Sequence, residues 1–339
     1  MKAVSTERVS SDGGANPVEG EVVFKPVKAI WIGGMTAAAL VAGPLTATPA
    51  AVAVFAILTA ITICGGHSVG MHRLLIHRSF RTHRAIERFL VYLGVLVGMA
   101  GPFGMIRLHD FRDWGQRQPD CHDFFSHRSG FWNDAWWQLC CGIKLKKEPR
   151  FTIEDAVASD PFYRSVEATW MAQQLVIAVP LYLLGGLPFV VWGVCCRVSV
   201  SLIGHWLVGY FAHQPKDHLL FIEGACVQGY NLPRLGLVTF GEAFHENHHA
   251  FPNSAKLGIL PGQTDPGWWL VKTLERLGLA WQVKTPETLE AREGLTVNGN
   301  SEEPARLPHW LADLPQVAPR KSSGKGHRVK TSTKLSQMM

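Results

Sequence analysis

Charge is what this sequence has little of. Of its 339 residues, 18% are Asp, Glu, Lys or Arg, against about a quarter in an ordinary soluble chain. The shortfall argues against the two or three soluble domains that length alone would suggest. None of the seven cysteines forms a CxxC pair, which argues against a zinc ribbon or a thioredoxin-like site. Cys64, Cys195 and Cys196 stand in apolar surroundings and read as small packing residues. Zinc-finger spacing, a base-reading basic helix and a ribonucleoprotein motif are all missing. The net charge of +6 and the pI near 9.0 therefore do not point to nucleic acid. Much of the basic charge lies at Arg320, Lys321, Lys325, Arg328, Lys330 and Lys334, which reads as a solvated tail.

What the chain does have is apolar residues, 47% of the total, with a mean hydropathy of +0.07. That excludes a disordered protein, a disulfide-stapled miniprotein and a collagen-like fibre. The excess is concentrated in four runs, at about residues 29–47, 50–70, 170–184 and 187–211. Pro49 separates the first two, and Gly185, Gly186 and Pro188 separate the last two. Runs of this kind, arranged as two tight hairpins, are better read as membrane spans than as soluble core helices. The turns carry no Lys or Arg, whereas Arg73–Arg88 and Arg107–Arg164 are rich in both. The positive-inside rule puts the hairpin tips outside and both termini in the cytosol.

The remaining segments divide as follows. Residues 1–25 lack periodicity and a signal peptide's layout, and read as a flexible cytosolic arm. Residues 26–286 form the membrane domain. Residues 287–339 read as a mostly disordered basic tail. The apolar stretch Glu87–Ile106 contains Pro102 and four glycines, and a full span there would reverse the next basic segment. It reads as a buried or half-immersed helix. Arg197 falls about ten residues into the fourth run, near the midplane, where an ionised residue is costly and is either functional or paired inside the bundle.

Fifteen histidines are the second excess. His72 and His77 stand at one end of the second run, His213 just past the fourth, and His245, His248 and His249 far downstream. The topology gathers all of them on one membrane face. On a helix, positions i, i+3 and i+4 share a side, so the last three converge. That pattern points to metal ligands, and imidazole suits iron, zinc, copper or nickel. A zincin would need HExxH, and HENHH does not supply it.

The motifs HRLLIH followed by RSF, and GEAFHENHHAFPNSAK, resemble the first and last histidine boxes of membrane fatty acyl desaturases of the stearoyl-CoA desaturase type. HWLVGYFAH, ending at His213, and LGLAW, starting at Leu277, are similar to further family segments. The resemblance covers about residues 25–286. It implies an all-α integral membrane fold: four transmembrane helices in two hairpins beneath a cytosolic helical cap with a histidine-rich di-metal site. It implies two iron ions (Fe2+), dioxygen as oxidant and an acyl-CoA or acyl-lipid substrate that gains a cis double bond. Neither a fused cytochrome b5 signature nor a dinucleotide fingerprint is found, so electrons are expected from a separate ferredoxin, rubredoxin or cytochrome b5. Carried over by position, the ligands are His72, His77, His109, His213, His245, His248 and His249.

The middle box departs from the family's H-x-x-H-H. Here it reads His109-Asp110-Phe111-Arg112-Asp113. Arg112 is permanently protonated and cannot coordinate. Asp113 can, so it joins the expected ligand set, or else pairs with Arg112 and leaves one metal poorly held. Gly209 stands where the family has an Asn that reaches the site. His122, His205 and Arg112 are candidate orienting groups beside the ligands. His127 reads as structural, and His67, His83 and His218 as ordinary residues. The altered box keeps a related iron hydroxylase or an oxidase of another lipid open as the alternative activity. A non-catalytic protein that keeps the fold is a third reading.

Overall fold

The computed structural model describes residues 8–11, 14–216, 218–298, 308, 311 and 315–317. Its framework is helical. Helix α1 runs Pro26–Leu45, with proline at its first turn, where no intrahelical N–H is needed. Helix α2 (Pro49–Ala60) starts on the Thr48 side chain, which accepts from the Ala51 N–H at 3.1 Å. It continues without a break into a π-helical segment, Ile61–Ile76.

Among the described residues, three helices are long and apolar enough to cross a membrane: Pro26–Leu45, Pro49–Ile76 and Gln173–Ala212. Their apolar residues point outward, as Ile30, Leu40, Leu45, Leu183 and Leu184 show, each more than 70% exposed. Continuous exposed apolar surface on this scale needs lipid rather than water around it. The third helix is 40 residues long but not straight. Gly185 and Gly186 leave helical geometry (φ −152° and +63°), and the second of these values suits only glycine. The break falls at the turn expected from Gly185, Gly186 and Pro188.

The π-helical segment packs on helix α3 (Arg84–Leu96). Glycines let the backbones touch: a Cβ on Gly66 would lie 2.3 Å from the Leu93 carbonyl carbon, and one on Gly94 would lie 2.4 Å from Met71. Met71, Leu75 and Ile76 then share a core with Val91, Val95, Met105 and Tyr163. Arg197 is fully buried. It donates to the Gly193 carbonyl (2.7 Å), to Gln174 Oε1 (2.6 Å) and to the Leu96 carbonyl. The cation thus ties the last carbonyl of α3 to the third long helix, where a helix C-terminus favours positive charge.

Several expectations change. The stretch Glu87–Ile106 is not one helix: α3 ends at Leu96, and helix α4 begins at Pro102 and runs to Arg117. The fold is mostly helical, as expected, but nine short strands also occur among the described residues. The described part of the arm is not a loose segment. Val9–Ser10 pairs with Arg150–Phe151 and Gly20–Phe24 with Cys141–Leu145, both antiparallel. Alternation of Val22 and Phe24 is too short a signal to separate a strand from a tail in the sequence. Past residue 287, Leu295–Asn298 pairs with Leu220–Ile222, and Leu295, Val297 and Leu311 are buried with Phe251. The basic residues from Arg320 onward, with His309 and His327, lie outside the described residues.

Candidate metal centre

The π-helical segment explains the five-residue spacing of the first box. In an α-helix, five residues turn through about 500°, leaving their side chains about 140° apart. A π-helix, with i→i+5 bonds, brings them nearly into line. The His77 N–H donates to the His72 carbonyl at 3.0 Å, and the two rings stand 4.8 Å apart. His67, one π-turn earlier, stacks 6.5 Å from His72.

Two histidine groups result. The first is His72, His77, His109 and His248, and the second is His213, His245 and His249, with the ligand atoms of each group within 4.8 Å of one another. Helix α4 supplies His109, whose Nε2 lies 3.1 Å from His77 Nε2. The short helix His245–Ala250 serves both groups. Its three histidines do not converge on one point, as i, i+3, i+4 spacing suggests. His248 sits 4.5 Å from the His72 ring, whereas His245 and His249 turn to His213 at 4.6 and 5.5 Å.

The polar residues between those histidines anchor the turn. Glu246 accepts from the Leu219 and Leu220 N–H groups, both at 2.8 Å. Asn247 donates to the Leu257 carbonyl and to Gln263 Oε1, both at 2.7 Å. Arg73, between the first-box histidines, donates to Asp265 (2.8 Å) and to the Ala255 carbonyl (2.7 Å). This pins the π-helical segment to the loop that follows the shared helix.

Carboxylates brace the rings from behind. Glu242 Oε2 lies 2.7 Å from His72 Nδ1. Asp110 Oδ1 lies 3.0 Å from His109 Nδ1. In the second group the brace is a carbonyl: His213 Nδ1 donates to Gly209 at 2.6 Å. The Asp110 and Gly209 contacts keep the proton on Nδ1 of His109 and His213. Burial would raise the Glu242 carboxyl, but His72 and then Arg73 hold it below its usual range. Burial, then neighbouring histidines, keep His245 and His248 well below the ordinary imidazole value. His249 is pushed down to about 4 by burial and by Arg292. These are neutral imidazoles, the form that binds metal.

Seven buried or half-buried imidazoles fit a pair of metal ions. His248 Nδ1 adds a second sign: it is buried with no hydrogen-bond partner among the described residues. An orphaned nitrogen in such a place is costly unless a ligand meets it.

The expected charged pair does not form. Asp113 lies in neither group. Its carboxylate accepts from Arg292 at 3.0 and 3.3 Å, and Arg292 also donates to the His249 carbonyl at 2.6 Å. Burial would raise the Asp113 carboxyl, but Arg292 and then Arg117 hold it down to about 2. Arg112 turns the other way, to His127 Nε2 and to Gln138 Oε1 (2.6 Å). His127 is held by Asp134 at 2.9 Å and stacks 5.2 Å from His213. His122 caps the Asp123–Ser126 turn by accepting from the Phe124 N–H, with its ring against Trp137. His205 stands edge-on to His67 at 5.0 Å and belongs to neither group.

Sequence reasoning missed Glu242, Asp110 and Gln116, whose Nε2 lies 3.0 Å from His213 Nε2. Glu242 stands three residues before His245 and Asp110 beside His109. A carboxylate close to a candidate ligand is a signal that could have found both.

A model of the fatty acid desaturase family matches residues 47–257, more than half of the chain. The chain belongs to the fatty acid desaturase family. It is 35% identical to an sn-1 stearoyl-lipid 9-desaturase from Anabaena variabilis, over 69% of this chain and 84% of that protein. It is 32% identical to an acyl-CoA 5-desaturase from Anemone leveillei, over 70% and 73%. It is 30% identical to a delta-9 acyl-lipid desaturase from Arabidopsis thaliana, over 67% and 73%. The chain is thus a membrane-bound oxidoreductase of the fatty acyl desaturase class, with histidine groups able to bind metal.

Proposed function

We propose that this protein inserts a cis double bond into a fatty acyl chain at a pair of iron ions. His72, His77, His109 and His248 hold one ion, and His213, His245 and His249 the other. The observation that carries this reading is the single turn, His245–Ala250, that sends one histidine to the first group and two to the second. When bound, the irons supply the oxidising power, so that dioxygen, two electrons, two protons and two hydrogens from neighbouring acyl carbons leave as two waters.

The chain's own residues set the conditions. Asp110 keeps the Nδ1 proton of His109, so that this ring presents Nε2 inward, and the Glu242 carboxylate stands 2.7 Å behind His72. Burial of His72, His213, His248 and His249 keeps bulk water from the oxidant. The third long helix breaks at Gly185–Gly186. That supports four spans, and the Lys and Arg distribution supports hairpin tips outside and both termini cytosolic. The bilayer delivers the substrate, and a separate ferredoxin, rubredoxin or cytochrome b5 delivers electrons to the basic cytosolic face.

Relatives named for acyl-lipid and for acyl-CoA substrates leave two carrier classes to test. The experiment is lipid analysis of cells with and without the gene, with double-bond positions mapped in both pools and iron measured per chain. New monounsaturated chains are expected in one pool. Hydroxylated chains without new double bonds would sink the desaturation reading. Fewer than about one iron per chain after anaerobic loading would sink the metal centre.

A further inference from the structure

The N-terminal strand reaches the metal centre through one side chain. Arg8 is 6% exposed and Asp110 is 8% exposed. Arg8 Nη1 donates to Asp110 Oδ2 at 3.0 Å, while Asp110 Oδ1 is 3.0 Å from His109 Nδ1. His109 Nε2 in turn faces His77 Nε2 at 3.1 Å. The guanidinium is itself clamped, since Nε and Nη2 donate to Glu154 at 2.6 to 3.0 Å. Its backbone is fixed as well. The Arg8 carbonyl accepts from the Thr152 N–H at 3.1 Å, and Val9 pairs with Phe151. Ser11 Oγ accepts from Trp114 Nε1 at 2.8 Å, on the helix that carries His109.

We infer that Arg8 is a positioning residue of the first histidine group: it locks the Asp110 carboxylate so that His109 is held with Nε2 toward the metal. The physical reason is rotational. A carboxylate held only by His109 Nδ1–H turns about its terminal torsion, which is broad, and the ring turns with it. A second donor on the other oxygen removes that freedom. Arginine suits the place because its planar fork grips Glu154 with two nitrogens and still presents a third to Asp110. Lysine has one nitrogen and cannot do both. Two carboxylates against one guanidinium leave net negative charge beside His109, which favours the Nδ1–H tautomer.

This inference rests on the metal-centre reading, and its test separates the two. Full-length protein is purified in detergent, loaded with Co2+ and titrated with a competing chelator, with the visible ligand-field bands recorded. Arg8→Met and Asp110→Asn should each weaken cobalt binding by about tenfold, the lower end of the effect of removing a ligand's hydrogen-bond partner, and should change the bands. Arg8→Lys should recover part of the loss. The double variant should bind no more weakly than Asp110→Asn alone, because Arg8 acts through Asp110. Multiplying losses would show that Arg8 only fastens the arm, and would overturn the inference. So would wild-type affinity in a folded Arg8→Met protein. If Arg8→Met does not fold, unchanged affinity and bands in Asp110→Asn overturn it instead. Wild-type protein that takes up no cobalt would overturn the metal centre itself, and this inference with it.

Discussion

The two histidine groups are built differently. The first has four imidazoles, and two of them are braced by carboxylates, His72 by Glu242 and His109 by Asp110. The second has three, and its one visible brace is the Gly209 carbonyl on His213. The positions that could have enlarged it are occupied otherwise: Arg112 is held by His127 and Gln138, and the Gln116 amide faces the His213 lone pair. An anionic brace raises ligand basicity more than a neutral one. On the proposed reading, the first group is therefore expected to be the tighter site.

The comparison can be broken most severely at the shared turn. His248→Ala removes a ligand of the tighter group, so desaturated product should fall by more than about a hundredfold, beyond the loss expected from any outer partner. The protein should still be recovered in the membrane fraction. Normal product formation would show that the HENHH turn is not the site. A smaller effect is expected behind the ring. Glu242→Gln should weaken metal binding by about ten- to a hundredfold, seen as lower iron per chain, with no change in the second group's affinity.

Asp113→Asn tests whether the carboxylate is a ligand or a tie. Losing the charged bond to Arg292 should cost about 1.5–3 kcal/mol of stability while iron per chain stays unchanged; a fall in iron would return Asp113 to the ligand set. The sign of its pH dependence follows from a folded value of about 2, below an ordinary Asp near 4. The contribution is complete above the unfolded value and is lost only as pH falls toward 2. The variant's loss should thus be the same at pH 5.5 and pH 8 in thermal unfolding. The smallest effect sharpens the contrast in the other direction. Gln116→Met frees the His213 lone pair and should tighten cobalt at the second group about fivefold, roughly 1 kcal/mol. No gain would mean that the amide does not compete.

Much of the framework was legible in the sequence because bilayer solvent acts on composition. Runs such as 29–47 need no partner to be recognised, since their apolar residues face lipid rather than a core. The histidines were legible by type and spacing, and all seven proposed ligands fall in the two groups. How they divide was not legible. His245, His248 and His249 share a helix side in projection, yet His248 leaves its neighbours, because the separation of the two groups depends on where α4 and the π-helical segment stand. The arm was misjudged for a similar reason. A strand of two residues has no pattern of its own and exists only because Arg150–Phe151 lies beside it.

Arg112 and Asp113 show the boundary most clearly. The sequence by itself determined that neither can act as the imidazole expected there, since a guanidinium cannot coordinate and a carboxylate carries charge. Only the tertiary structure decided their partners. Arg292 lies 179 residues beyond Asp113, and Gln138 lies 26 beyond Arg112. Adjacent residues on a helix point to different sides, so the two charges that stand together in the chain find their partners apart.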